Sequence, residues 1–216
     1  MLPDIVLQTD FGLTTGFVAS MYGVIRMVDQ TLDVFDLNHE IRPFDMRQGS
    51  FLLRDTIPYW KGGTVFVSVV DPGVGTARRG CVAKLNNGSF VVTPDNGSLT
   101  AILDWVVAVR EIDESVNRLK GSDKANSFHG RDVFAYTAAR LASGIINFEG
   151  VGPEYPVNEI VTFETTHGTV APGRAEGEIA GCTKHFGGAG TNIDVDEFEK
   201  TGIVYGDMTH VTIVKN

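Results

Sequence analysis

Asp71 stands at the end of an unbroken apolar run, Val65-Phe66-Val67-Ser68-Val69-Val70. The turn Pro72-Gly73-Val74-Gly75 follows it, and Arg78 comes seven residues after the aspartate. A β-branched run of this kind, without polar alternation, reads as a strand buried on both faces of a parallel sheet. Ligands of open α/β sheets bind beyond the carboxyl ends of the strands. A carboxylate at such an end can orient a water and take its proton. An arginine folded back on it can hold it ionised and in place. Three further loops join an acid or a histidine to glycine: Thr9-Asp10-Phe11-Gly12, Pro94-Asp95-Asn96-Gly97 and Phe128-His129-Gly130-Arg131-Asp132. Any one of them is compatible with an Asx-turn or a hydrogen-bonded structural histidine. Four in one α/β arrangement point to a single site along one sheet edge.

The surrounding elements are arranged to position these loops. Asp4 to Thr9 reads as a strand, and Gly16 to Val28 as a helix with Phe17, Met21, Val24, Ile25 and Val28 at helical spacing. Thr31 to Leu37 alternates as a strand, and Asp45 is the expected N-cap of a helix reaching about Tyr59. Cys81–Leu85 and Phe90–Thr93 flank Asn86-Asn87-Gly88, a hairpin signal. Ser98 is the expected cap of a short helix to Asp104, and Asp132 to Leu141 reads as another helix. Strands alternating with helices predict a βαβ sheet. After Gly144 helical periodicity fades, and Ile203–Gly206 and Val211–Val214 read as strands of a small β unit. The boundary is expected around residues 150–165.

Composition narrows the classes of function. The 216 residues carry a formal net charge of -9, which argues against a nucleic-acid binder, since that would need a basic stripe. Cys81 and Cys182 match no metal spacing and predict two buried, reduced thiols of a cytoplasmic protein. His39, His129, His167, His185 and His210 are scattered without a close ligand pair, so no metal site is expected. Neither a signal peptide nor an apolar run long enough to span a bilayer is apparent. The sequence also lacks a P-loop, a Gly-x-Ser-x-Gly elbow and a His-Glu-x-x-His helix.

Taken together and in order, the four loop motifs resemble those of the S-adenosyl-L-methionine (SAM) hydroxide adenosyltransferases, or SAM hydrolases, relatives of the SAM-dependent fluorinase and chlorinase. A weaker match continues through Phe186-Gly187 and Thr191-Asn192-Ile193 to Glu199–Gly206. The resemblance implies a Rossmann-like α/β catalytic domain, placed here at residues 1–155. It also implies a small, truncated C-terminal β-barrel for substrate binding, at residues 165–216. It further implies a homotrimer whose active sites lie between the N-domain of one subunit and the C-domain of the next, with a small-molecule substrate and neither nucleic acid nor membrane as partner. The implied reaction is water attack at the ribose 5′ carbon of SAM, giving adenosine and L-methionine, with SAM as substrate and no cofactor. The water-activating residues of the family fall on Asp71, Arg78 and His129. Asp10 matches the carboxylate that binds the ribose hydroxyls, Phe44 an aromatic against the ribose and Phe186 an aromatic against the adenine. Phe11, Asp95, Asn96, Ser127, Phe128, Gly130 and Asn192 complete the implied substrate contacts. Where the family's first loop continues with Asp and Tyr, this sequence has Thr15 and Phe17.

The chemistry suits these residue types. A sulfonium leaves as a neutral thioether, so no general acid is needed at sulfur, and the nucleophile is what must be activated. A carboxylate beside the attack position repels chloride or fluoride, which predicts hydrolysis over halogenation. Two alternatives stand beside it: a non-catalytic adenosine-binding trimer, and a SAM-dependent halogenase.

Overall fold

A computed structural model describes residues 2–124, 126–183 and 186–214. Lys184 and His185, within the stretch that resembles the family's adenine-binding segment, lie outside the described residues. The chain divides into two compact units, Met1–Phe163 and Glu164–Asn216.

The first unit is a mixed α/β structure on a seven-stranded sheet. Its strands are β1 (Ile5–Thr9), β2 (Val34–Asn38), β3 (Val65–Val69), β4 (Gly80–Leu85), β5 (Phe90–Pro94), β6 (Val106–Glu111) and β7 (Glu154–Tyr155). Their order across the sheet is β2-β1-β3-β5-β4-β6-β7. The block β2-β1-β3-β5 is parallel, as the alternation of strands and helices predicts. The remainder is antiparallel: the Asn86–Gly88 turn reverses the chain directly, as its hairpin signal predicts, and β6 pairs onto that hairpin with β7 beyond it.

The strand β3 lies between β1 and β5, and all five of its residues are buried. Its alternate side chains enter two cores. Val65, Val67 and Val69 join Ile5, Leu7, Met21, Ile25 and Phe134 on one face, while Phe66 joins Val6, Leu53, Ile57 and Val91 on the other. The first face is covered by α1 (Phe17–Val28) and by a helix of residues 129–142, and the second by α2 (Met46–Thr56). Asp45 caps α2 as expected, its carboxylate accepting the Gln48 N–H at 2.9 Å. Ser98 does not cap the 3₁₀ segment Thr100–Trp105; its hydroxyl donates to Asn96 Oδ1 at 2.7 Å instead. No element was expected over Val106–Glu111, because its burial is irregular and Val107 faces outward, blurring the period-2 signal.

The second unit holds two antiparallel ribbons and a short helix. The ribbons are β8 (Thr169–Ala171) with β9 (Arg174–Glu176), and β10 (Ile179–Thr183) with β11 (Gly188–Thr191). The helix is α4 (Val195–Glu199). The strands expected at 203–206 and 211–214 are absent. Among the described residues neither segment has a pairing partner, and Val204, Val211 and Ile213 are exposed. A strand without a neighbour leaves its backbone groups to solvent and gains nothing from alternation. Cys81 is buried, but Cys182 is exposed on β10, correcting the expectation of two buried thiols. Among the described residues no helix is long and apolar enough to cross a membrane.

Candidate active site

Asp71 follows β3 directly, so two buried cores fix the direction in which its carboxylate leaves the sheet. Asn96, on the loop after β5, donates to the Val70 carbonyl at 2.9 Å and holds the backbone just before it. The turn that follows is tight: Val74 N–H donates to the Asp71 carbonyl, and the Thr76 amide and hydroxyl both donate to the Gly73 carbonyl. Gly75 has φ of +77° and passes so close to the Asn126 carbonyl that a Cβ would lie 2.8 Å from its oxygen. Only glycine satisfies both demands. The turn returns Arg78 to Asp71. Its Nε donates to Oδ1 at 3.0 Å and its Nη2 to Oδ2 at 2.5 Å. The side chains are 10% and 5% exposed, so the pair is a buried, two-point ion pair. From the core side, the Phe134 ring supports the guanidinium 5.2 Å away.

His129 begins the helix of residues 129–142, whose first part, Gly130–Ala135, is wound as a π-helix before α3 (Tyr136–Ala142). Such bulges occur often at functional sites. The loop leading to it is held by Asn117, which is fully buried and donates to the Gly150 and Val151 carbonyls. The Leu119 N–H adds a bond to the Asp132 carbonyl. Arg78 Nη2 approaches His129 Nδ1 at 3.0 Å. Arginine can only donate, so Nδ1 accepts and the ring hydrogen resides on Nε2. Nε2 is buried and has no hydrogen-bond partner among the described residues. Burial pushes the imidazole pKa below its ordinary value; Glu114, 4.0 Å from Nδ1, opposes this, and Arg78 and Arg118 add to it. The net direction favours the neutral ring.

Asp71 and His129 line one cavity of about 390 Å³. Phe11, Ser127, Phe128 and Gly130, all expected site residues, line it too. Phe11, Phe17 and Phe128 pack edge to face with centroids 5.2–5.9 Å apart. A Cβ on Gly130 would lie 3.0 Å from the Phe11 ring, so the glycine permits this packing. Val69, Phe17, Val74, Arg131 and Asp132 also line the cavity; none is among the implied site residues, although Val74, Arg131 and Asp132 belong to the glycine loops. Arg131 spans the Phe128 ring at 4.8 Å while paired with Asp132. Phe17 and Val74 had a legible signal, since each sits inside or just after one of the glycine loops.

Other expected residues lie elsewhere. Asp10 accepts the Phe44 N–H at 2.9 Å, and neither residue is among those lining the cavity. Asp95 is buried and its carboxylate is committed to Arg79, the Tyr155 hydroxyl and the Val161 N–H. Asn96 is committed to Val70 and Ser98. Phe186 and Asn192 belong to the second unit; Phe186 is exposed, and Asn192 braces that unit by bonds to Glu178 N–H and to Thr166. Among the described residues no group of three or more His, Cys, Asp or Glu is arranged to hold a metal ion; His185 lies outside them.

Residues 5–152 match the model of the SAM hydroxide adenosyltransferase N-terminal domain. The (R)-S-adenosyl-L-methionine hydrolase of Salinispora arenicola is 44% identical over 146 residues, covering 66% of this chain and 54% of the relative. That of Methanocaldococcus jannaschii is 33% identical over 201 residues, covering 91% and 69%. A fluorinase of Actinopolyspora mzabensis is 27% identical over 235 residues, covering 98% and 78%. The match thus spans about half the length of the Salinispora relative. The crystal structure of an uncharacterized conserved protein from Thermotoga maritima superposes with a TM-score of 0.86 at 34% identity, over 94% of this chain and 76% of that one. With a family match over more than half of its length, the chain belongs to the SAM hydroxide adenosyltransferase family.

Proposed function

We propose that this protein hydrolyses S-adenosyl-L-methionine to adenosine and L-methionine. The observation that carries the reading is the Asp71–Arg78–His129 cluster: Arg78 fixes its hydrogen-bond directions, and Asp71 and His129 stand on the wall of one cavity. The curated relatives of Salinispora and Methanocaldococcus bear the name of this activity, and we extend it to this chain.

In the proposed step a water oxygen attacks the ribose 5′ carbon. The carbon–sulfur bond breaks, and its electron pair stays on sulfur, which leaves as the neutral thioether of methionine. The water must give up a proton. Arg78 occupies one side of the Asp71 carboxylate: Nε reaches both oxygens and Nη2 reaches Oδ2, so Oδ1, with one donor, keeps a further lone pair. Asp71 is thus the proton acceptor in this reading. His129 carries its hydrogen on Nε2, a buried donor with no partner among the described residues, and in this reading a movement of the ring brings that N–H to the water oxygen to orient it. Pre-positioning of this kind supplies on the order of 7–11 kcal/mol in favourable cases. Arg78 offsets part of the carboxylate charge, yet the selectivity argument against halide persists in another form: water can donate a hydrogen bond to Asp71, and a halide cannot.

Asp10, Phe11, Phe44, Ser127, Phe128 and Gly130 form the substrate-binding part of the reading; in the trimer proposed below, Phe186 and Asn192 would come from the next subunit. Asp95 and Asn96 serve it as scaffold, since their polar atoms are already engaged. We further propose a cytoplasmic homotrimer, with a second unit derived from a β-barrel; sedimentation velocity tests the assembly. The experiment for the activity is incubation with SAM and chromatography of the products. Adenosine and methionine in equal amounts, abolished in His129→Ala, are expected. Adenosine binding by calorimetry without turnover would instead favour a non-catalytic nucleoside-binding protein, and 5′-chloro-5′-deoxyadenosine formed with chloride present would mark a halogenase.

A further inference from the structure

Among the described residues Phe44 is the one non-glycine with a left-handed backbone, at φ +67°. The Asp45 N–H donates to the Arg42 carbonyl at 2.9 Å, closing a turn Arg42-Pro43-Phe44-Asp45. Proline at the second place and a left-handed third place define a turn whose third residue is ordinarily glycine. A bulky side chain there is strained. Burial does not offset the strain, because Phe44 is 65% exposed.

What holds the residue is Asp10, whose Oδ2 accepts the Phe44 N–H at 2.9 Å. Asp10 itself stands on a loop fastened at both ends to one buried histidine. Thr9 Oγ1 lies 2.8 Å from His39 Nδ1, and the Gly12 N–H donates to the His39 carbonyl at 2.8 Å. The other ring nitrogen of His39 is held by Asp36 at 2.8 Å. A fixed carboxylate therefore grips a strained, exposed aromatic residue across 34 positions of sequence.

We propose that Asp10 is a positioning residue for Phe44: its carboxylate latches the left-handed backbone, so that the exposed ring stands ready as a platform for the adenosyl group of the ligand. The platform part rests on the SAM reading above. Strain at a residue that is mostly exposed is kept where the ring is needed in one orientation.

The test is a double-mutant cycle on the full chain with Asp10→Ala, Phe44→Gly and Phe44→Ala, read by thermal melting and by calorimetric binding of adenosine. Phe44→Gly is expected to melt roughly 3–6 °C above Phe44→Ala, the reverse of the usual order of these residues. Asp10→Ala is expected to lower the melting temperature and to weaken adenosine binding roughly three- to tenfold, with both effects shrinking in the Phe44→Gly background. If Asp10→Ala does not fold, Asp10→Asn keeps an acceptor oxygen and should melt near the unaltered protein. The latch is overturned if Phe44→Ala melts at or above Phe44→Gly, or if Asp10→Ala costs the same in both backgrounds. Adenosine binding that is absent from the unaltered protein, with the melting order intact, would support the latch and overturn the platform and the SAM reading with it.

Discussion

Arg78 and Arg79 are neighbours in the chain, and each closes on an aspartate at the end of a parallel strand, yet the two pairs do different work. Asp95 is saturated: Arg79, Tyr155 and the Val161 backbone all donate to it, and its side chain is 1% exposed. Arg79 also spans the Tyr155 ring at 4.1 Å. This cluster ties the loop after β5 to the segment 154–163. Asp71 receives side-chain donors only from Arg78 among the described residues, and it borders the cavity together with His129. An Asp–Arg pair is thus neither structural nor catalytic by type. What decides is whether the carboxylate has acceptor capacity left over and whether that capacity meets a cavity.

The sharpest way to break this comparison is to neutralise each aspartate in turn. Asp71→Asn should lower SAM turnover about 10²–10⁴-fold while the protein stays folded. Asp95→Asn should instead destabilise by roughly 2–4 kcal/mol, since an amide N–H would face Arg79 and leave buried donors unmatched, and melting should report it before turnover does. Equal loss of turnover from both, measured where both are folded, would erase the distinction. Gly130→Ala sharpens the cavity side. Its Cβ would sit 3.0 Å from Phe11 Cζ, and displacement of that ring should raise the KM for SAM several-fold.

A pH series addresses His129. Its folded pKa lies below the ordinary 6.5, so the unfolded chain takes up the proton first as pH falls. The stability associated with neutral His129 is complete above pH 6.5 and is lost as pH falls from there through the folded value. His129→Gln should flatten that acid limb in chemical-denaturation curves. An unchanged slope would place the proton uptake elsewhere. The smallest effect is expected from Tyr155→Phe, which removes one bond to Asp95 at 3.1 Å and should cost about 1 kcal/mol without altering turnover. Burial also pushes the neighbouring Cys81 thiol up to about 12, so it should resist alkylation in the folded protein.

Much of the first unit is legible along the chain because its signals are local. The β3 run, the Asp45 cap and the Asn86–Gly88 hairpin each express a preference of adjacent residues. The strand β6 was not legible, because its partner β4 and not its own pattern makes it a strand. The segments 203–206 and 211–214 fail in the opposite sense: their apolar residues suggest strands, and nothing among the described residues pairs with them. Asp71, Arg78 and His129 stand out by their motifs, and the structure brings them within hydrogen-bond distance, whereas the commitment of Asp95 to Tyr155 and Val161, 60 and 66 residues away, has no signal in the sequence.

Sequence by itself determined the loops that could carry chemistry, the strand that ends at Asp71 and the family resemblance, since each resides in residue types at short spacing. Tertiary structure alone decided which aspartate keeps a free lone pair beside a cavity, which nitrogen of His129 bears the hydrogen, and that Phe44 is held in a strained turn by Asp10. The physical reason is that hydrogen-bond saturation and burial are properties of neighbours in space, and a carboxylate acquires its role only when the remaining donors around it have been assigned.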